Sequence, residues 1–191
     1  TRYFLMCFIN PETSIPRSLL ASLAELQMTR LFAIRSIVSY VYVVIGKNVK
    51  KISKYVTVVL SNGSKIHDNV VLWGDGVITV GENSSIGENS WIYANKNGGV
   101  SIGKNVNCAA FMYIMDSDHG TKLGVPMNAQ PMLSKKIEIG DDVWIGANVT
   151  ILKGVNIQSG CVIGACSCVT KCFGENSIIC GVPAKKIKER S

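Results

Sequence analysis

From Ile139 to Val169 every sixth residue is aliphatic: Ile139, Ile145, Ile151, Ile157, Ile163 and Val169. Four residues after each rung comes a second series, Val143, Val149, Val155, Cys161, Ser167 and Phe173, and glycine follows a rung at Gly140, Gly146 and Gly164. A helix cannot bury this pattern. A period of six advances by more than half a turn per repeat on a 3.6-residue helix and would spread the apolar residues over every side. In extended chain, six is commensurate with the two-residue alternation, so each repeat supplies one short strand and one turn. The pattern predicts a parallel β-helix built from hexapeptides.

Upstream the ladder is less regular. Ile66 and Leu72 are six apart, the phase slips by two before Val80, Ile86 and Ile92, and an Asn-Lys-Asn-Gly-Gly turn at 95–99 shifts it again before Ile102, Cys108 and Ile114. Residues 115–138 carry two prolines, many polar groups and no sixfold register, which marks a functional or a disordered loop. Residues 1–45 read differently: Pro11 and Pro16 precede a run at 18–26 with leucine and alanine at helical spacing. The expected division is a helical cap at 1–45 over the open end of the stack, a β-helix at 46–182 with a catalytic loop at 115–138, and a tail at 183–191. The apolar stretch from Leu31 to Ile45 is interrupted by Arg35 and too short to span a bilayer. Phe32, Tyr40 and Tyr42 beside Arg30 and Arg35 give it a second reading, weak peripheral contact with a membrane surface. No charged start followed by an apolar stretch and a small-residue cleavage site is visible, so secretion is not expected.

Composition narrows the partners. With 191 residues, 47% hydrophobic and 17% charged, the chain suits one compact domain. The net charge of +7 comes largely from scattered residues and two clusters, Lys47, Lys50, Lys51 and Lys54, then Lys185, Lys186, Lys188 and Arg190. Neither has the interleaved aromatics of a base-stacking surface, so nucleic acid is not an expected partner. The second cluster remains compatible with the phosphates of a small anionic ligand. Seven cysteines form no CxxC pair, and two histidines give little help, so no metal site is expected. Free thiols point to a reducing cytoplasm.

His119 lies in the interrupting loop, in Asp116-Ser117-Asp118-His119-Gly120. A loop histidine flanked by acids is ordinarily a solvated residue. Here the loop splits two blocks of repeat, and the block after it opens on Trp144, a large aromatic at a turn position that normally holds something small. Trp144 reads either as corner packing or as the wall of a ligand cleft.

Three strings carry a resemblance: Ile139-Gly-Asp-Asp-Val-Trp-Ile-Gly-Ala-Asn-Val-Thr-Ile-Leu-Lys-Gly-Val155, Val162-Ile-Gly-Ala-Cys-Ser-Cys-Val-Thr-Lys171 and Cys180-Gly-Val-Pro-Ala-Lys-Lys-Ile187. Over about residues 47–188 the chain resembles the hexapeptide-repeat acetyltransferases, and within them the group of maltose, galactoside, nodulation-factor, capsule and O-antigen O-acetyltransferases. The resemblance implies an all-β, left-handed parallel β-helix with three hexapeptides per triangular coil. It also implies a homotrimer with active sites between subunits, and acetyl-CoA as donor. His119 matches the loop histidine that acts as general base, with Asp118 and Gly120 standing where relatives often show proline or a second histidine. Removing the proton of an attacking sugar hydroxyl suits an imidazole, and Asp116 or Asp118 is expected to fix its tautomer. Ala147 replaces a serine common in the group, which leaves the backbone amide of Ala147 or Gly146 to meet the oxyanion, a contribution of roughly 3 kcal/mol in favourable sites. By the same resemblance Trp144 packs against the acceptor or the pantetheine arm. Ala147 and Ala165 line that arm, Thr170 and Lys171 meet the nucleotide end, and Lys185 or Lys186 meets its phosphates.

In coils of eighteen residues no two cysteines would stack, so disulfides between coils are not expected. His67 reads as a turn residue, and two histidines fall short of the three that γ-type carbonic anhydrases use. A nucleotide-sugar pyrophosphorylase would carry a glycine-rich domain ahead of the repeats, and a serine acetyltransferase a long helical one. The expected function is acetyl-CoA-dependent O-acetylation of a cell-envelope saccharide, of capsule, O-antigen or exopolysaccharide type, in the cytoplasm or at the inner face of the membrane. The alternatives are acetylation of a small sugar, antibiotic or amino sugar, and a non-catalytic trimeric scaffold.

Overall fold

The computed structural model describes residues 32–35, 40–51 and 55–191. They wind into a parallel β-solenoid with three sheets as its faces. The chain lays Trp144–Ile145 on face I, Thr150–Ile151 on face II and Asn156–Ile157 on face III, then returns to face I with Val162–Ile163. Rungs eighteen residues apart are therefore neighbours: Ile139 pairs with Ile157, Ile145 with Ile163 and Ile151 with Val169. All six rungs and the whole second series are buried. A fully buried isoleucine contributes roughly 1.5–3 kcal/mol, so the stack is held chiefly by this internal column.

The phase slips share one location. Steps from face III to face I (Val80 to Ile86, Ile102 to Cys108) and from face I to face II (Ile66 to Leu72, Ile86 to Ile92, Cys108 to Ile114) keep the spacing of six. Leu72 to Val80, Ile92 to Ile102 and Ile114 to Ile139 all cross from face II to face III. Every added residue of these coils thus leaves from the II–III edge. The longest addition is ordered: Ser117–His119 and Met132–Ser134 pair as an antiparallel hairpin between Tyr113–Met115 on face II and Ile137–Ile139 on face III.

Many corners turn on a residue in the left-handed region. Asn48, Asn69, Asn83, Asn89, Asn105, Asp142, Asn148 and Asn176 take φ between 53° and 58°, which short polar side chains tolerate. Two exceptions are Phe111, at 61°, and Cys166, at 59°.

Face I is longer than the others because antiparallel strands extend both its ends. Phe32–Arg35 pairs with Tyr40–Ile45, which continues in parallel onto Lys65–Ile66. This differs from the helical reading of 1–45 at its end: the run at 18–26 lies outside the described residues, whereas Phe32–Arg35 and Tyr40–Ile45 are antiparallel strands, as β-branched and aromatic residues favour. The tail expected at 183–191 contributes Ala184–Glu189, antiparallel to Ser177–Gly181. Among the described residues no helix is long and apolar enough to cross a membrane.

Candidate functional site

The hairpin is anchored at its first residue. Asp116 is buried, and its Oδ2 accepts the backbone N–H groups of Asn95 at 2.8 Å and Gly99 at 2.5 Å. Gly99 sits at φ +114°, and a Cβ at Gly98 would lie 2.2 Å from that carboxylate oxygen, so the neighbouring coil needs glycine at both places. Burial pushes the Asp116 carboxyl above the ordinary carboxylate range, against the lowering effect of the Gly99 and Asn95 bonds. On the return strand Lys135 N–H donates to the Asp116 carbonyl at 2.8 Å and closes the root.

Asp118 forms an ion pair with Lys153 of the following coil. Neither acid is hydrogen-bonded to His119, which corrects the expectation that one of them fixes its tautomer. In extended chain adjacent side chains point to opposite sides, so sequence adjacency worked against that contact. His119 itself is exposed, opposite Met132 on the return strand.

Beyond His119 the loop is tied by one side chain. Gln130 Oε1 accepts Lys122 N–H at 2.8 Å, while its Nε2 donates to the carbonyls of Lys122 at 2.9 Å and Val125 at 2.8 Å. A Cβ on Gly120 would lie 2.8 Å from Gln130 Cβ, which explains the glycine after the histidine. Leu123, Val125, Met127 and Leu133 are left exposed on this hairpin. Beside its root, on face III, Val77, Thr79, Gly98, Gly99, Ser101 and Lys136 line an open groove.

The other candidates lie elsewhere. Trp144 points outward from face I and is 56% exposed. Gly146, Ala147 and Asn148 then turn the I–II edge. Gly146 N–H is committed to the Ile163 carbonyl at 2.8 Å, whereas the amide of Ala147 has no acceptor among the described residues. Asn148 N–H donates to Ala110 and Cys166 N–H to Ala147, which stacks Ala110, Ala147 and Ala165 coil on coil. Thr170 and Lys171 are on the II–III edge, two coils beyond the hairpin, with the Lys171 ammonium 5.6 Å from the Phe173 ring centre. Lys185 and Lys186 are exposed on the terminal strand of face I, where Lys186 pairs with Glu189 at 2.7 Å.

The chain therefore does not bring His119 together with Trp144, Ala147 or Ala165. The histidine is on the II–III edge and the free amide on the I–II edge, and these two edges bound the same face. Face II presents Trp91 and Tyr113 side by side in register, and Trp73 packed edge-to-face on Tyr93 with centroids 5.2 Å apart. Trp73, Trp91 and Tyr113 are exposed. Sequence reasoning missed Gln130 and Lys153, for which no periodic signal exists. It also missed Phe111, which is visible as an aromatic at a corner that takes asparagine on the coils directly below and above. Among the described residues no three metal-binding side chains converge.

Residues 136–171 match the family described as bacterial transferase hexapeptide (six repeats), and residues 77–113 match the hexapeptide repeat of succinyl-transferase. The chain is 34% identical to the putative lipopolysaccharide biosynthesis O-acetyl transferase WbbJ of Escherichia coli K12, over 61% of this chain and 63% of WbbJ. It therefore spans less than two thirds of that relative's length. It is 36% identical to a putative acetyltransferase of Dictyostelium discoideum, over 68% of this chain and 67% of the relative. Among solved structures it is similar to a mutant of AntD, an N-acyltransferase from Bacillus cereus in complex with dTDP and coenzyme A. That match has a TM-score of 0.60 and 26% identity, and covers 77% of this chain and 84% of AntD. The shared architecture is the left-handed β-helix.

Proposed function

The chain belongs to the hexapeptide-repeat acetyltransferases, and from that premise we propose that it moves an acetyl group from acetyl-CoA to a hydroxyl of a cell-envelope saccharide. The observation that carries the reading is the pair of complementary edges: a loop histidine held on an ordered hairpin, and an unengaged backbone amide in a small-residue turn. The lipopolysaccharide named for WbbJ supports the acceptor, and the coenzyme A bound to AntD supports the donor. An amino group on a sugar is the second reading, favoured by the N-acyl transfer named for AntD.

The site is completed by a second copy. In a homotrimer with face II turned toward the common axis, each II–III edge meets the next chain's I–II edge, so His119 stands against the partner subunit's Ala147. The exposed aromatics of face II support that packing, since large aromatic area is what subunit contacts bury.

Acetyl-CoA supplies the acetyl group as a thioester. The stacked turns at Ala147 and Ala165 leave room for an extended amide-bearing arm, with Trp144 as its side wall. Thr170, Lys171, Lys185 and Lys186 are assigned to its nucleotide and phosphate end. Imidazole Nε2 or Nδ1 of His119 takes the hydroxyl proton as the acceptor oxygen bonds to the acetyl carbon. Ala147 N–H donates to the carbonyl oxygen as negative charge develops there. The imidazolium then returns the proton to the departing sulfur as the carbon–sulfur bond breaks.

A cytoplasmic site of action, in reach of the inner membrane face, suits the exposed thiols of Cys166, Cys172 and Cys180. Weak membrane contact is assigned to residues 31–45. The test is His119→Ala: the turnover number should fall about 10²–10⁴-fold with coenzyme A affinity by calorimetry retained, and undiminished turnover would remove His119 from the role of base.

A further inference from the structure

We propose that Phe111 is the acceptor-contacting wall of this site, its ring stacking on the apolar face of a sugar. The inference rests on the acetyl-transfer reading above and adds a specificity residue to it. Phe111 holds φ 61° at a corner position that asparagine fills at Asn89 one coil below and Asn148 one coil above, with the small Cys166 on the coil after that. A bulky side chain in the left-handed region is strained, and such strain persists where the surroundings enforce it and function uses it. The ring does not earn its place by packing inward: it is 55% exposed, while the next residue, Met112, enters the core.

Its height on the solenoid supplies the second argument. Phe111 immediately precedes the strand Tyr113–Met115 on face II, and the hairpin of His119 immediately follows that strand. The two residues are thus at opposite edges of one face on one coil. In the homotrimer proposed above, with its threefold axis along the solenoid, every residue keeps its own level, so Phe111 meets the partner subunit's His119 at the same height. The bond from Asn148 N–H to the Ala110 carbonyl puts the Ala147 amide one coil on, about 4.8 Å away along the stack. An acceptor hydroxyl poised between base and amide places its sugar ring over Phe111. The side chain is neutral and apolar, so it offers a stacking surface and no hydrogen bond, which fits the C–H face of a pyranose.

The experiment compares the intact oligomer of wild type, Phe111→Asn and Phe111→Tyr with methyl β-galactopyranoside and methyl β-glucopyranoside as acceptors. Asparagine should raise the glycoside KM about tenfold, leave the acetyl-CoA KM within about twofold, and raise Tm by about 2–4 °C through relief at the corner. Tyrosine keeps the ring and should restore the glycoside KM. A ring that merely packs would lower Tm when removed, and a fall in Tm or dissociation of the oligomer overturns the proposal, as does an unchanged glycoside KM. A wild type that binds coenzyme A but acetylates neither glycoside overturns the pyranoside acceptor and the stacking role of Phe111 with it, while the donor assignment stands. One that fails to bind coenzyme A overturns the acetyl-transfer reading, and this proposal with it.

Discussion

Asp116 acts on the backbone of the neighbouring coil and makes no hydrogen bond to His119. Its carboxylate serves two backbone amides of the Asn95–Gly99 turn and fastens the hairpin to the coil below. Because burial raises its ionisation above the ordinary range, the folded state prefers the protonated form more than the unfolded chain does. Its contribution to stability is fullest below the ordinary carboxylate pKa and declines as pH rises through the folded value. Asp116→Asn retains an acceptor oxygen and removes the titration. In urea unfolding, the wild type should therefore lose ground to the Asn variant as pH rises from about 4, the ordinary carboxylate value, through the raised folded-state value, and a constant gap would contradict the linkage. Asp116→Ala abandons two buried amides and should cost about 2–4 kcal/mol. Among the cysteines, burial pushes Cys108 up to about 12. A thiol reagent on the native protein should label Cys166, Cys172 and Cys180 and spare Cys108, with mass spectrometry of the digest as the check.

At the level of elements, the hairpin and the ladder differ in how far the chain announces them. The rungs from Ile139 to Val169 could be assigned to strands because extended chain and turns allow a period of six no other buried arrangement. The slips at 72–80, 92–102 and 114–139 were visible one at a time, but their common edge was not, since it emerges only when coils close on one another. Nothing periodic marks Gln130, whose three bonds join residues five and eight apart in an irregular loop. Those bonds give the hairpin its shape independently of the core. With His119 as the proposed base, Gln130→Ala should lower kcat/KM about tenfold or more, since small displacements of a catalytic group are expensive, while thermal stability stays near that of the wild type. Amide exchange at Lys122 should quicken in the same variant, and unchanged exchange would show that the side chain is not the tie.

Across the whole molecule, the candidate residues were legible by type yet scattered by the fold: Trp144 to face I, Ala147 and Ala165 to one edge, His119, Thr170 and Lys171 to another. A linear motif does not reveal which edge of the stack each of its parts will occupy. If face II joins the subunits, the double substitution Trp91→Glu with Tyr113→Glu should yield monomers in sedimentation equilibrium, with the β-sheet circular dichroism kept and acetyl transfer lost. A variant that stays trimeric would move the interface to another face. The single edge that receives every insertion has a further meaning. Met115 and Ile137 are both seated in the stack, so the segment between them hangs on two fixed posts and can be exchanged without re-threading any coil. The scaffold is in effect a socket: a transplanted hairpin should carry its own share of the acceptor preference with it, while donor use and the share set at Phe111 stay with the rack that receives it.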